Sequence, residues 1–314
     1  MLDNPVPWPN GARCAASITF DMDSDSILHL SHDDAYKRVS ALSWLRYDEV
    51  AVPRIVKMFK RFGIKGTFFV PAWCIERYPA TVQTILDGGH EIAHHGYLHE
   101  QPMDQSREGE RYWLQRCIDV IERFSGKRPA GSRSPYYSFS PHTTSLLVEE
   151  GFVYDSSLMA DSQPYLLHDA KGNVIELPSD WPMDDWPHYV HSPDFSYMMP
   201  ISAPDKAMEV YMAELNAAYE FGGLWVTVWH PFVSGRPARL ARVAKMIEEQ
   251  QKRGGVWFAS MEQIARHVQQ CIDNGSYKPR IVPMPYYEKP ITELTEGAPE
   301  GLAIKRPSGW GSSA

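Results

Sequence analysis

The chain of 314 residues lacks the marks of several protein classes. Its four cysteines, Cys14, Cys74, Cys117 and Cys271, are far apart and form no C-x-x-C pair, which excludes a disulfide scaffold and reads as reduced thiols in a core. No stretch approaches the ~20 apolar residues of a membrane span, so no membrane partner is expected. The opening residues Met1–Asn10 have no basic patch running into an apolar one, and a reducing cytoplasm is the expected address. Lysine and arginine total 31 against 39 acids, a net charge of −8 with no cationic cluster, which argues against nucleic acid as a partner. Internal repeats are missing as well.

What is present is an ordinary globular composition, 43 % hydrophobic and 22 % charged, with a mean hydropathy of −0.38. Cys14–Phe20 is an apolar, β-branched run that predicts a strand, and Val52, Ile55, Val56, Phe59 and Phe62 fall at helical spacing before Gly63. The alternation continues with strand Gly66–Val70, helix Pro79–Asp87, strand His90–Ala93, helix Glu110–Phe124, strand Ala130–Arg133, helix Pro141–Glu150 and strand Gly151–Asp155. Strand Val174–Leu177 with helix Asp205–Phe221, Leu224–Trp229 with Arg239–Arg253, and Val256–Ala259 with Met261–Asp273 complete it. About eight strands alternating with helices predict an α/β fold with a parallel sheet, either open and doubly wound or closed into a barrel, the count favouring the barrel. Two segments break the pattern. Ser24–Asp48 is long and polar, a length at which loops are lids, contact surfaces or disordered, and the tail from Tyr277 is proline-rich and reads as an extended arm. Either could reach a neighbour, so a homo-oligomer is expected.

The polar residues that directly follow the predicted strands are Asp21 and Asp23, His95 and His99, Arg133, Asp155, Asp180 and His230. In a parallel barrel these C-terminal strand ends share one rim, where active sites are built. His95 and His99, at i and i+4, would share a face on a turn of helix, and with Asp23 they supply a two-histidine, one-carboxylate set with open coordination positions. Ligand type alone does not separate zinc hydrolysis from a non-haem Fe(II) oxygenase. Asp21 and His230 do, because they look like a general base and a general acid flanking an attacking water, machinery for which an oxygenase or a simple binding module has no use.

In this order the pieces resemble the polysaccharide deacetylase family, the NodB-homology group of carbohydrate esterases, across Ala12 to Asp273. Thr19-Phe20-Asp21-Met22-Asp23 resembles its paired-aspartate strand end, with a residue between the acids, and His95-Gly96-Tyr97-Leu98-His99 its second motif, with glycine in place of a hydroxyl residue. Arg133-Ser134-Pro135-Tyr136 and Trp229-His230-Pro231 fit two more, and Asp184-Asp185-Trp186 fits a looser fourth. The resemblance implies a distorted (β/α) barrel of seven or eight parallel strands, a catalytic domain over residues 1–276 and an arm over 277–314. It implies one divalent metal ion, zinc or else Co, Mn or Ni, on Asp23, His95 and His99. Asp21 would act as base, Arg133 would hold Asp21, and His230 would protonate the leaving amine. The implied reaction removes an acyl group from an N-acetylated sugar or related small amide. The run Ser234–Arg239 resembles a branch that includes cyclic-imide hydrolases and allantoinases, so an imide or ureide is the alternative substrate. Tyr136, Trp181 and Trp186, on rim loops, are expected to wall the pocket, whereas Trp113 in a helix and Trp225 in a strand are expected in the core.

Overall fold

A computed structural model describes residues 4–289. Its strands are β1 (Cys14–Ser17), β2 (Thr19–Asp21), β3 (Thr67–Val70), β4 (Glu91–His94), β5 (Gly131–Ser132), β6 (Tyr154–Asp155), β7 (Tyr165–Asp169), β8 (Gly172–Glu176), β9 (Leu224–Val226), β10 (Val256–Phe258) and β11 (Ile281–Pro283). Eight of them form one sheet in the order β11-β7-β8-β6-β5-β4-β3-β2, and β10-β1-β9 form another. Only Ile18 separates β1 from β2, so one run of chain serves both sheets. Lone parallel bridges, Phe20 to Trp229 and Asp184 to Val228, carry the curvature on towards closure. All pairings between these strands are parallel except β7 with β8. The result is the expected α/β architecture, a mainly parallel sheet wrapped by helices.

Local chemistry explains the elements. Every residue of β1 and β3 is buried, as covering on both faces demands of parallel strands. The helix Asp48–Phe62 buries Ala51, Val52, Ile55, Met58 and Phe59 on one face, carries Asp48 and Glu49 in its first turn and Lys60 and Arg61 in its last, and stops at Gly63 with φ of 66°. Towards the far end of the chain, Ser260 starts the helix Met261–Asp273 by forming a capping box with Gln263. At the N-terminal ends of the strands Glu91 accepts from Thr67 Oγ1 (2.7 Å), the Glu262 amide (2.9 Å) and Tyr154 Oη (2.8 Å), tying that end of the fold shut. The opposite rim is left for chemistry.

Three features differ from the sequence-based expectation. The β7–β8 hairpin adds an antiparallel strand, because Tyr165–Asp169 and Gly172–Glu176 are joined by a turn too short for a crossover. The expected arm begins as sheet: Tyr277 is buried with its hydroxyl on the Pro164 carbonyl (2.6 Å), and β11 pairs with β7. The remainder of that arm, residues 290–314, lies outside the described residues. The polar stretch 24–48 folds into helices Ser26–Ser31 and Val39–Leu45 with a short 3-10 turn between them. No described helix is long and apolar enough to cross a membrane.

Candidate active site

Asp21 closes β2 and Asp23 stands two residues on. Successive side chains of an extended chain point to opposite sides, so the intervening Met22 goes into the core, wholly buried, while both carboxylates line one cavity of about 810 Å³. The turn after Asp23 is held from outside: Ser24, at a φ of 47°, donates its hydroxyl to Asp48 (2.8 Å), a buried carboxylate at the start of its helix. Nothing in the spacing of the sequence pointed to Asp48.

His95 and His99 follow β4 on a loop rather than on the expected turn of helix. Gly96 and His99 both have φ of 72°, which a helix forbids, and Glu100 accepts from the amides of Tyr97 (2.8 Å) and Leu98 (2.7 Å), fixing the loop instead. A β-carbon at Gly96 would also meet Pro135 Cγ at 3.0 Å, which accounts for glycine there. The same outcome is reached by another backbone path, with both imidazoles turned to Asp23. His95 Nε2 lies 3.3 Å from Asp23 Oδ1, and His99 Nε2 and His230 Nε2 each lie 3.4 Å from Asp23 Oδ2. His95 Nδ1 donates to the Arg133 carbonyl (2.7 Å), which leaves Nε2 with its lone pair free as a ligand atom.

Asp23 Oδ1 and His99 Nδ1 are buried with no hydrogen-bond partner among the described residues, and the ligand atoms of Asp23, His95 and His99 lie within 4.8 Å of one another. A buried carboxylate oxygen without a donor is costly as bare protein and satisfied by a cation, so this donor set fits a divalent metal ion. Burial opposes ionisation of Asp23, yet the imidazoles of His99, His95 and His230 outweigh it and hold its carboxyl well below the usual range. A second acid–histidine cluster, Asp184, Asp185 and His230, is equally tight but already satisfied. Asp185 accepts from His230 Nδ1 (2.6 Å), the His230 amide (3.0 Å) and the Ser234 hydroxyl, while Asp184 accepts from Tyr137 Oη (2.5 Å) and the Trp186 amide (2.8 Å). These acids position their neighbours.

Arg133 is wholly buried and spends its donors on named acceptors: Nη1 on Asp21 Oδ1 (2.7 Å) and Thr19 Oγ1 (2.8 Å), Nε on the Ser156 carbonyl (3.1 Å), and Nη2 on Ser156 Oγ (3.0 Å). Its guanidinium also lies 4.0 Å over the Phe69 ring. Asp21 Oδ2 is left facing His95 Nε2 at 3.7 Å. On His230, burial disfavours the imidazolium, but the Asp185, Asp23 and Asp184 carboxylates prevail and raise its pKa well above the ordinary value.

Tyr136, Trp181 and Trp186 all line the cavity. The Tyr136 ring stands edge-on to His99 (centroids 4.5 Å), Trp181 to Tyr137 (4.8 Å) and Trp186 to His230 (5.7 Å). Two segments roof them: Ile27, Ser31 and His32 from the stretch after β2, and Phe195, Ser196 and Tyr197 from the stretch after Trp186. Arg38 Nη1 on Asp194 Oδ1 (2.6 Å) and His32 Nε2 against the Asp194 carbonyl (2.7 Å) join the two. Sequence spacing missed Tyr137, Asp194 and the orienting part of Asp185; only the pairing of Asp184 with Trp186 hinted at the last. Two expected rim residues are elsewhere. Asp180 is exposed outside the cavity, and Asp155, the last residue of β6, is buried beside Glu176 on the neighbouring strand, where it accepts from the Ser157 amide (2.8 Å) and does not line the cavity. Trp225 is core as expected, but Trp113 is half-buried and stacks on Tyr97 (5.0 Å, 29°) at the surface.

Residues 20–154 match the family model described as Polysaccharide deacetylase. A peptidoglycan deacetylase of Helicobacter pylori is 29 % identical over 244 residues, 69 % of this chain and 83 % of its own length. Among crystal structures, a Mycobacterium smegmatis protein assigned as a polysaccharide deacetylase is 42 % identical with a TM-score of 0.83, covering 90 % of this chain and 98 % of that one. Puue allantoinase is 25 % identical with a TM-score of 0.75, over 88 % and 96 % respectively.

Proposed function

Since the chain belongs to the polysaccharide deacetylase family and is a hydrolase of carbon–nitrogen bonds, we propose that it removes an acetyl or similar acyl group from the nitrogen of an N-acetylated sugar or related small amide. The observation that carries this reading is the meeting of three imidazole Nε2 atoms at Asp23, at 3.3 to 3.4 Å, beside a second carboxylate held by a buried arginine. Asp23, His95 and His99 would hold a divalent cation, zinc or else Co, Mn or Ni, which supplies Lewis-acid polarisation of the acyl oxygen and acidifies water.

The remaining steps belong to side chains. Water adds to the acyl carbon and gives a proton to Asp21 Oδ2, the oxygen that Arg133 leaves unengaged. The carbon–nitrogen bond then breaks as His230 Nε2 delivers a proton to the nitrogen, leaving a carboxylate and a free amine. Asp185 on Nδ1 fixes the His230 tautomer and supports its cationic form, as an acid for a poor leaving group requires. Tyr136, Trp181 and Trp186 press the substrate ring into place, and the Tyr136 amide offers a donor to the developing oxyanion. Among the described residues no lysine or arginine lines the cavity, which suits an uncharged substrate.

A second substrate class, a cyclic imide or ureide, is supported by the likeness to Puue allantoinase and by the run Ser234–Arg239. The deciding experiment is a release assay across N-acetyl sugars, chito-oligomers, succinimide-like imides and hydantoin-type ureides, with Zn²⁺, Co²⁺ and Mn²⁺ supplied in turn. Acetate from the sugars supports deacetylation, whereas ring opening of the imides alone transfers the assignment to the second class.

A further inference from the structure

Asp155 ends β6 and Glu176 ends β8, and the two stand opposite each other in the parallel pairing of those strands, both wholly buried. One oxygen of each carboxyl is occupied: Asp155 Oδ1 accepts from the Ser157 amide (2.8 Å) and Glu176 Oε1 from the Leu158 amide (2.9 Å). The other two, Asp155 Oδ2 and Glu176 Oε2, are buried and meet no donor among the described residues. The cation that bears on Asp155 is Arg133, whose donors already go to Asp21, Thr19 and Ser156. Tyr165 on β7 also faces Glu176, and its hydroxyl accepts from the Ala160 amide (3.3 Å). Two adjacent carboxylates repel in a medium of low dielectric; one proton between them removes the repulsion and gives both free oxygens a partner.

The turn that these acids hold reaches the cavity wall. Ser156 accepts from Arg133 twice, through its carbonyl (3.1 Å) and its hydroxyl (3.0 Å), and the Ser157 hydroxyl accepts from the amide of Ser134, a cavity residue (2.8 Å). Arg133 in turn donates to Asp21. We infer that Asp155 and Glu176 share one proton and act as positioning residues, fixing through Ser156 and Ser157 the guanidinium that orients the Asp21 carboxylate. The inference rests on the proposed reaction, in which Asp21 is the base, and it gives a use to two buried acids that do not line the cavity. Burial raises the Glu176 carboxyl well above the ordinary range, with the Asp155 charge adding to it, and raises Asp155 only to about 6. The proton therefore stays with Glu176 at neutral pH. Without it the two acids would push apart and release the turn.

The test uses the full, metal-loaded chain. Glu176→Leu, which leaves the Leu158 amide without its acceptor, should lower kcat roughly ten- to a hundredfold on chito-oligomers or on succinimide, whichever is hydrolysed, with KM within about twofold of wild type. Glu176→Gln, whose amide supplies a hydrogen in place of the shared proton, should recover most of kcat. Should Glu176→Leu not fold, the double variant Asp155→Val, Glu176→Leu removes both acids together and takes its place. Urea unfolding reads the proton separately. Above ~4.3 the unfolded chain loses a proton that folded Glu176 keeps, so wild type should fall behind Glu176→Gln as pH rises from ~4 to ~7. An unchanged kcat in the apolar variant, a loss that Glu176→Gln does not recover, or a stability gap constant with pH overturns the inference. So does a second metal ion per wild-type chain that Glu176→Gln sheds, since a cation would then stand where the proton is placed. If neither substrate is hydrolysed the proposed reaction fails, and the crystal structure of the apolar variant decides the positioning: Arg133 drawn away from Asp21 upholds it, and an unmoved contact rejects it.

Discussion

Two arginine–aspartate pairs flank the cavity with nearly the same contact length, Arg133 to Asp21 at 2.7 Å on the sheet side and Arg38 to Asp194 at 2.6 Å in the roof. Their surroundings differ sharply. The side chains of the first pair are 0 % and 5 % exposed, those of the second 31 % and 27 %. Removing one member of a buried pair strands a charge in low dielectric and costs ~3–5 kcal/mol, whereas a half-exposed pair is screened and is worth ~0–1 kcal/mol. Contact length thus says little about what each pair does. The inner one fixes the Asp21 carboxylate, the base of the proposed reaction, and the outer one joins two long segments that line the cavity.

That contrast sets the order of expected effects. His95→Ala removes a ligand beside the inner pair and should abolish turnover, a fall of roughly 10⁴ or more; a variant within tenfold of wild type would contradict it. Asp185→Asn, which leaves the shape around His230 intact, should cost ~10²–10⁴ in kcat. Because the Asp185 carboxylate raises the His230 pKa, its loss should also move the basic limb of the kcat profile to lower pH, and an unmoved limb would remove His230 from the acid role. Arg133→Met should destabilise the fold by ~3–5 kcal/mol in urea unfolding, with part of that recovered in the double variant Arg133→Met, Asp21→Asn. Additive losses would show that the pair is not coupled.

Smaller effects follow from protonation and from the roof. Burial pushes the His90 imidazole down to about 4, from an ordinary ~6.5. Below ~6.5 the unfolded chain takes up a proton at this position that the folded chain refuses until about 4, so His90 makes stability fall on acidification, by at most ~3 kcal/mol. Asp155 and Asp184, raised by burial to about 6, act in the opposite sense as they protonate more readily folded than unfolded. The clean comparison is therefore between wild type and His90→Asn, which keeps an acceptor for the Gly66 amide: the variant should gain on wild type as pH drops from ~6.5 to about 4, and a constant difference would exclude the effect. Last, Arg38→Ala should change stability by under ~1 kcal/mol and raise KM with kcat nearly unchanged. A fall in kcat instead would mean the roof orders the reacting groups.

The inner wall was legible in the sequence because each of its candidate side chains follows a predicted apolar strand, and parallel pairing brings those strand ends together whatever their separation along the chain. Asp21, Asp23, His95, Arg133 and His230 were found that way. The path of the His95–His99 loop was not, since its shape depends on Gly96 meeting Pro135 and on Glu100 capping two amides, contacts that no periodicity reports. The roof was hidden for a related reason. Residues 26–45 and 187–197 form only short helices and turns and are joined by long-range contacts such as His32 with Asp194, so their place is decided only in three dimensions. Trp113 sits at helical spacing among core residues, and only the neighbouring loop turns it into a surface platform.

If Asp23, His95 and His99 hold one divalent ion, elemental analysis of the purified chain beside Asp23→Ala, after dialysis against a trace of zinc, shows it. About one ion per wild-type chain and close to none in the variant is the expected result. Equal metal content in both, with Asp23→Ala still folded, would contradict it.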